Sequence, residues 1–153
     1  MPASSATWLG LVTPERRAFW ENRSVFLTGG FGLLGTTITE LLHLMGARIT
    51  LLQRDEVPSS RLWETEAAKS VNIVHGDLLS FDDLYRALAE YEVDTVFHVG
   101  AQPIAPVGNR APLPTLRMNI MGTANVLEAC RLNPTVKRVL VASSDKAYGA
   151  QPV

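Results

Sequence analysis

Thr28-Gly29-Gly30-Phe31-Gly32-Leu33-Leu34-Gly35 is the stretch on which the fold turns. Before it runs Ser24-Val25-Phe26-Leu27, short, apolar and β-prone; after it, Leu33 to Leu44 reads as a helix. A strand, a glycine turn and a helix start, in that order, form a cradle for phosphate. Gly29 and Gly32 omit side chains where backbone N–H groups must approach a pyrophosphate, and Phe31, Leu33 and Leu34 complete the turn. The helix that follows points its positive dipole end at the phosphate charge. Gly35 lets that helix lie close to the sheet. A glycine-rich turn chosen only for tight geometry would read the same in isolation. The strand–turn–helix context favours a dinucleotide.

At 153 residues the chain has the length of one domain and can bury a substantial core. A net charge of −1, with no basic stripe, argues against a nucleic-acid partner. Cys130 stands alone in an apolar helical pattern, so no disulfide framework and no Cys/His metal site is expected. It reads as a buried, inert thiol, and a reducing cytoplasm fits. Met1 to Thr13 hold no positive n-region and no uninterrupted apolar core, so no signal peptide is expected. No window reaches the apolar length that spans a bilayer, which predicts a soluble protein without a membrane partner.

Residues 1–23 read as a leader, in which Pro14 opens a short helix carrying Phe19 and Trp20 onto a domain at 24–153. Beyond the first helix, Gly46 is a C-cap and 48–52 a second strand. Residues 58–70 read as a loop with a short helix, and 71–74 as a third strand. Ser80 caps the next helix, with Asp82 and Asp83 in its first turn and Leu84, Leu88 and Tyr91 on its apolar face. Residues 94–99 form a fourth strand. Pro103, Pro106, Pro112 and Pro114 make 101–114 a loop over the strand ends. A long helix over 116–132 buries Ile120, Val126, Leu127 and Cys130, and a fifth strand follows at 138–142.

Strands alternating with helical segments imply right-handed crossovers and a parallel sheet. Continuous apolar runs in strands two, four and five predict burial on both faces. The expected fold is therefore α/β, a Rossmann-type doubly wound parallel sheet of five strands in the order 3-2-1-4-5, incomplete at the C-terminus. The glycine turn falls beside the switch point.

The end of strand two discriminates between a free ribose 2′-hydroxyl and a 2′-phosphate. Asp55 lies at the spacing quoted for the acidic residue, yet Gln53 and Arg54 come first after Leu52. That register leans toward tolerance of the phosphorylated cofactor, and a solvated polar turn is the other reading. Asp77 could accept from an adenine amino group beside Leu78, or bond its own turn backbone. His98 reads as a satisfied core histidine, and Asn119 as a surface residue or a partner of backbone near the sheet end. Ser143-Ser144-Asp145-Lys146 ends an apolar strand abruptly in hydroxyls, a carboxylate and an ammonium. Such groups can hydrogen-bond a reacting carbonyl and move protons at the ligand-binding edge, or form a surface turn.

Together these pieces resemble the extended short-chain dehydrogenase/reductase family, specifically its nucleotide-sugar epimerases and dehydratases. The matching stretches are residues 28–35, Gly76-Asp77-Leu78, Phe97-His98-Val99-Gly100-Ala101, Asn119-Ile120-Met121-Gly122-Thr123 and Ser143-Ser144-Asp145-Lys146-Ala147-Tyr148-Gly149. Lys146, the Phe19-Trp20 lead-in and Ala101-Gln102-Pro103 are similar to the CDP-glucose 4,6-dehydratase branch. The resemblance implies bound NAD or NADP that removes a hydride from a sugar C4 and later returns it. It implies a cofactor site including Gly100, Ala101 and Asn119, with Gly100 standing where alanine is usual. It also implies that Ser144 hydrogen-bonds the sugar 4-hydroxyl and that Asp145 is the general acid for loss of water, with Lys146 beside it. The resemblance also implies a nucleotide-sugar partner and pairing as a homodimer, as the family commonly does.

One departure qualifies the resemblance. The family's base is the tyrosine of a Tyr-x-x-x-Lys pair. Here Tyr85, Tyr91 and Tyr148 are followed at the lysine position by Ala89, Thr95 and Pro152. The expectation is an amino-terminal part holding the cofactor half without the base or the substrate domain. A non-catalytic NAD(P)-binding module and an inactive truncated gene product are the alternatives.

Overall fold

Five parallel strands hydrogen-bond in the order β3-β2-β1-β4-β5 in the computed structural model, which describes residues 9–144 and 149. They are β1 (Ser24–Thr28), β2 (Arg48–Gln53), β3 (Asn72–His75), β4 (Thr95–His98) and β5 (Arg138–Val141). Thr28 pairs with Leu52 on one side and His98 on the other; His98 in turn pairs with Val141. All strands therefore finish along one edge. The reversal of order at β1 opens a crevice there, where ligands bind in doubly wound sheets.

Helices cover both faces of the central strands. In β1, Val25 and Leu27 point to one side, where α2 (Leu33–Leu44) contributes Leu42. Phe26 points to the other, where α3 (Phe81–Glu90) and the later helix Gly122–Leu132 contribute Leu84, Leu88, Val126 and Cys130. Every residue of β1 is buried, as the middle strand of such a sheet requires. The lead-in α1 (Pro14–Trp20) has Pro14 at its start and Thr13 as its cap, and its Trp20 ring meets Phe97 of β4. Gly46 takes a positive φ of 80° just past α2, the left-handed residue expected there.

The β2–β3 connection contributes more than a surface loop would. Two 3-10 turns, Arg61–Glu64 and Glu66–Lys69, insert Leu62 and Ala67 into the core beneath α2. Burying a leucine side chain completely is worth about 2 kcal/mol.

Three expectations are corrected. Residues 101–114 are not one loop, because α4 (Ala105–Arg110) and α5 (Pro112–Leu116) form within them. Their prolines stand in first turns, where the missing N–H sacrifices no intrahelical bond. The helix expected at 116–132 is not uniform either. A π turn, Arg117–Met121, joins α5 to α6 (Gly122–Leu132). Val126 and Cys130, four residues apart, share the buried face of α6, while Leu127, one residue and about 100° on, and Ile120, seven residues before Leu127, face outward. Finally, β5 is not buried on both faces. It lies at the end of the sheet order, and Val139, Leu140 and Val141 are exposed.

Candidate functional site

A cleft of about 1050 Å³ opens over the carboxyl ends of the strands. Phe31, Gly32, Leu33, Leu34 and Gly35 form one wall, with Gly29 at its base. Gly100 and Ala101, from the loop after β4, form the facing wall. Gln53 and Arg54 close the β2 end, and Asp77 and Leu78 the β3 end. Residues from four separate stretches of the sequence thus meet around one volume.

The glycines of the turn have different physical causes. Gly29 takes φ 74°, and a Cβ there would lie 2.8 Å from the Gly100 backbone. A Cβ on Gly35 would lie 2.1 Å from the Gly29 carbonyl oxygen, so only glycine lets α2 start this close to the turn. Gly32 is different: its Cβ would meet only the Gly29 carbonyl oxygen, at an ordinary 3.4 Å. Protein packing does not demand glycine there. Gly32 is also the N-cap of α2 and supplies no side-chain cap, and the first turn contains no acidic residue. The positive end of a twelve-residue helix is therefore left for an anion approaching from the cleft.

At the β2 end, Arg54 Nη2 and Asp55 Oδ2 form an ion pair at 2.6 Å, both side chains more than half exposed. The guanidinium thus already has a carboxylate partner from the adjacent residue. Gln53 is buried. Asp77 accepts the Leu79 backbone N–H on Oδ1 at 2.9 Å, so it closes its own turn and lines the cleft at once.

Asn119 does not line the cleft. Its side chain clamps the loop that does, accepting the Gln102 N–H at 2.8 Å and donating to the Gln102 carbonyl at 3.1 Å. The reading of Asn119 as a partner of backbone near the sheet end matches this geometry. Ser144 is exposed and follows β5 along the same edge, outside the cleft lining. Asp145 and Lys146 lie outside the described residues. Cys130 is buried, and burial pushes its thiol up to about 11. Among the described residues no group of His, Cys, Asp or Glu is arranged to hold a metal ion, and no helix is long and apolar enough to cross a membrane.

Sequence reasoning missed several cleft residues. Gln102 lines it from the loop after β4, and Thr115, Arg117 and Met118 line it because α5 and the π turn fold back over the opening. Val57 reaches it from the β2–β3 connection, whose Trp63 ring lies 5.4 Å from the Phe31 ring. Proline spacing could have suggested the early helix start of α5, but no local signal marks the π turn.

This crevice, with its glycine turn at the switch point, coincides with the region that a family model of NAD-dependent epimerases and dehydratases matches, residues 25–153. The chain belongs to the NAD-dependent epimerase/dehydratase family. Among relatives in this family, the CDP-glucose 4,6-dehydratase of Salmonella typhimurium is 32% identical over 131 residues. The match covers 85% of this chain and 36% of that enzyme. An inverting UDP-N-acetylglucosamine 4,6-dehydratase of Campylobacter jejuni is 30% identical, over 86% of this chain and 41% of the relative. The crystal structure of UDP-glucose 4-epimerase from Brucella ovis in complex with NAD superposes with a TM-score of 0.72 at 27% identity. That likeness covers 86% of this chain and 38% of the epimerase. The chain thus spans about two fifths of the length of these family members.

Proposed function

We propose that the cleft binds NAD or NADP and that the chain is the cofactor-binding part of a nucleotide-sugar 4,6-dehydratase or epimerase. One observation carries the proposal: Gly32 is not required by the protein's own packing, yet it keeps the N-terminus of α2 open to the cleft. A pyrophosphate matches that opening by charge. Family membership and the dehydratase relatives support the choice of a sugar nucleotide as substrate.

In this reading Gly29, Phe31, Gly32, Leu33, Leu34 and Gly35 hold the pyrophosphate, Asp77 and Leu78 flank the adenine, and Gln53 and Arg54 meet the ribose. Gly100 and Ala101 give backbone approach from the β4 side, with Asn119 fixing that loop through Gln102. The bound dinucleotide supplies a reversible hydride acceptor for the sugar C4. Ser144 hydrogen-bonds the sugar hydroxyl, and Asp145, beside Lys146, holds the proton delivered as water leaves. The edge on which β5 ends supports these assignments, since Ser144 comes three residues beyond Val141, the strand partner of His98. A reducing cytoplasm suits the single buried thiol.

Calorimetric titration with NAD, NADH and NADP tests the cofactor assignment, and a folded chain that takes up none of them would refute it. The 153-residue chain, without a Tyr-x-x-x-Lys base, should turn over neither CDP-glucose nor UDP-glucose. The chemistry is therefore tested on a version extended through such a helix, by mass spectrometry and NMR of the products. Loss of one water indicates a dehydratase; an unchanged mass with an inverted C4 indicates an epimerase.

A further inference from the structure

Below the cleft, a file of hydrogen bonds joins three elements through one imidazole. His98, buried at the end of β4, has Nδ1 2.7 Å from Thr28 Oγ1 and Nε2 3.0 Å from Thr123 Oγ1. The Thr123 hydroxyl donates to the Asn119 carbonyl at 2.8 Å. Thr28 Oγ1 also accepts the Gly100 N–H at 3.1 Å.

Proton counting orients the file. Because the Thr123 hydrogen is committed to Asn119, His98 Nε2 must donate to Thr123. A neutral imidazole carries one N–H, so Nδ1 accepts the Thr28 hydroxyl hydrogen. That leaves the Thr28 oxygen with lone pairs for the Gly100 N–H. Burial lowers the imidazole pKa, in keeping with a neutral ring. Each member then has its partner, and the direction runs from Thr28 through His98 and Thr123 to Asn119. Both ends of the file reach cleft backbone. At one end, Thr28 holds Gly100 across from Gly29, at an approach so close that a Cβ on Gly100 would sit 2.9 Å from Thr28 Oγ1. At the other, Asn119 clamps Gln102.

We infer that His98, as its Nε2–H tautomer, is a positioning residue of the cofactor cleft: it locks the end of β1 to the π turn. The link passes through Thr123 in the first turn of α6 to the Asn119 carbonyl of the π turn, and so fixes the separation of the Gly29 and Gly100 walls and the path of the loop to Gln102. His98 touches no ligand itself. The inference rests on the dinucleotide reading of the cleft and adds a residue that acts through Thr28 and Asn119.

Two measurements on the full chain test it. The first is the ¹⁵N shift pattern of the His98 ring at neutral pH, which should show a protonated Nε2 and an unprotonated Nδ1. The opposite tautomer, or a charged ring, overturns the orientation. The second is NADH affinity in His98→Phe, His98→Gln and Thr123→Val, each checked for a wild-type circular dichroism spectrum. His98→Phe leaves the Thr28 hydroxyl hydrogen without its acceptor and Thr123 without its ring donor, and should weaken NADH about tenfold. His98→Gln, whose amide nitrogen can still donate to Thr123, should recover part of that loss. Thr123→Val supplies the test if the Phe variant fails to fold, and should also bind more weakly. Wild-type affinity in Thr123→Val and in whichever His98 variants fold overturns the inference while leaving the dinucleotide reading intact. Failure of the folded wild-type chain to bind NADH overturns both.

Discussion

The Ser60 hydroxyl donates to the Phe31 carbonyl at 2.8 Å, tying the β2–β3 connection to the glycine turn. Ser60 also accepts the Leu62 N–H, and the Trp63 indole N–H donates to the Val57 carbonyl. The connection thus braces one cleft wall from behind. Ser60→Ala removes both a cap and a cross-link, and should lower unfolding free energy by about 1 kcal/mol. Urea denaturation measures that loss, and no change in midpoint would show the brace to be idle.

Gly32 and Gly35 should separate folding from binding. Gly35→Ala forces a methyl group against the Gly29 carbonyl, so the turn must shift. A stability loss of about 2 kcal/mol or more is expected, with loss of dinucleotide binding. Gly32→Ala meets no such obstacle and should leave the thermal midpoint nearly unchanged. In the proposed site its methyl group would stand where the pyrophosphate approaches, so NAD affinity should drop about tenfold or more. Calorimetry on both variants checks the contrast.

In the proposed cofactor site, the Arg54–Asp55 pair should set the balance between the two dinucleotides. Both side chains are exposed, so breaking the pair should change stability by less than about 1 kcal/mol. Asp55→Ala frees the guanidinium for a 2′-phosphate and should raise the NADP:NAD affinity ratio. Arg54→Ala should lower it. Competitive titration of the two cofactors gives the ratio directly.

His98 adds an acid limb to the stability curve. Its folded pKa is depressed by burial, so the folded state disfavours the charged ring. The contribution is complete above the unfolded value of about 6.5 and is lost as pH falls through the lower folded value. Thermal midpoints measured downward from neutrality should therefore fall more steeply in the wild type than in His98→Gln.

Cys130 behaves oppositely. Its thiol titrates near 11 in the folded chain, so its contribution is present below the unfolded value and lost as pH rises toward 11. At pH 8 an aromatic disulfide reagent should react slowly with the native chain and rapidly in denaturant. Equal rates would mean the helix carrying Cys130 opens freely.

Much of the cleft was legible from local chemistry. Residues 24–44 read as strand, turn and helix because β-propensity, glycine and helical periodicity all agree there, and Gln53, Asp77 and Gly100 follow the ends of recognisable strands. The resemblance to nucleotide-sugar dehydratases rested on such short stretches, and the family match runs through them. The segment 101–121 was less legible. Its prolines suggest a loop, whereas their places in first turns permit helices, and nothing local distinguishes the two. The burial expected for Ile120 and Leu127 placed two helical stripes in the core: Ile120 and Leu127 share one, Val126 and Cys130 the other, and only the second meets the sheet.

The sequence by itself determined the order of strands and helices, the parallel topology and the glycine turn, because these depend on residues near one another in the chain. The folded structure decided which of the open partners each polar group took, local ones for Asp77 and Arg54 and distant ones for Asn119 and His98. Asp77 turned to Leu79, Arg54 to Asp55, Asn119 to Gln102 and His98 to two threonines on different elements. Of these, the pairs spanning 17, 25 and 70 residues are set by how the helices and strands pack, and a local pattern carries no record of that. Hydrogen bonds depend on distances of tenths of an ångström, whereas propensity and periodicity fix only which face of an element turns inward.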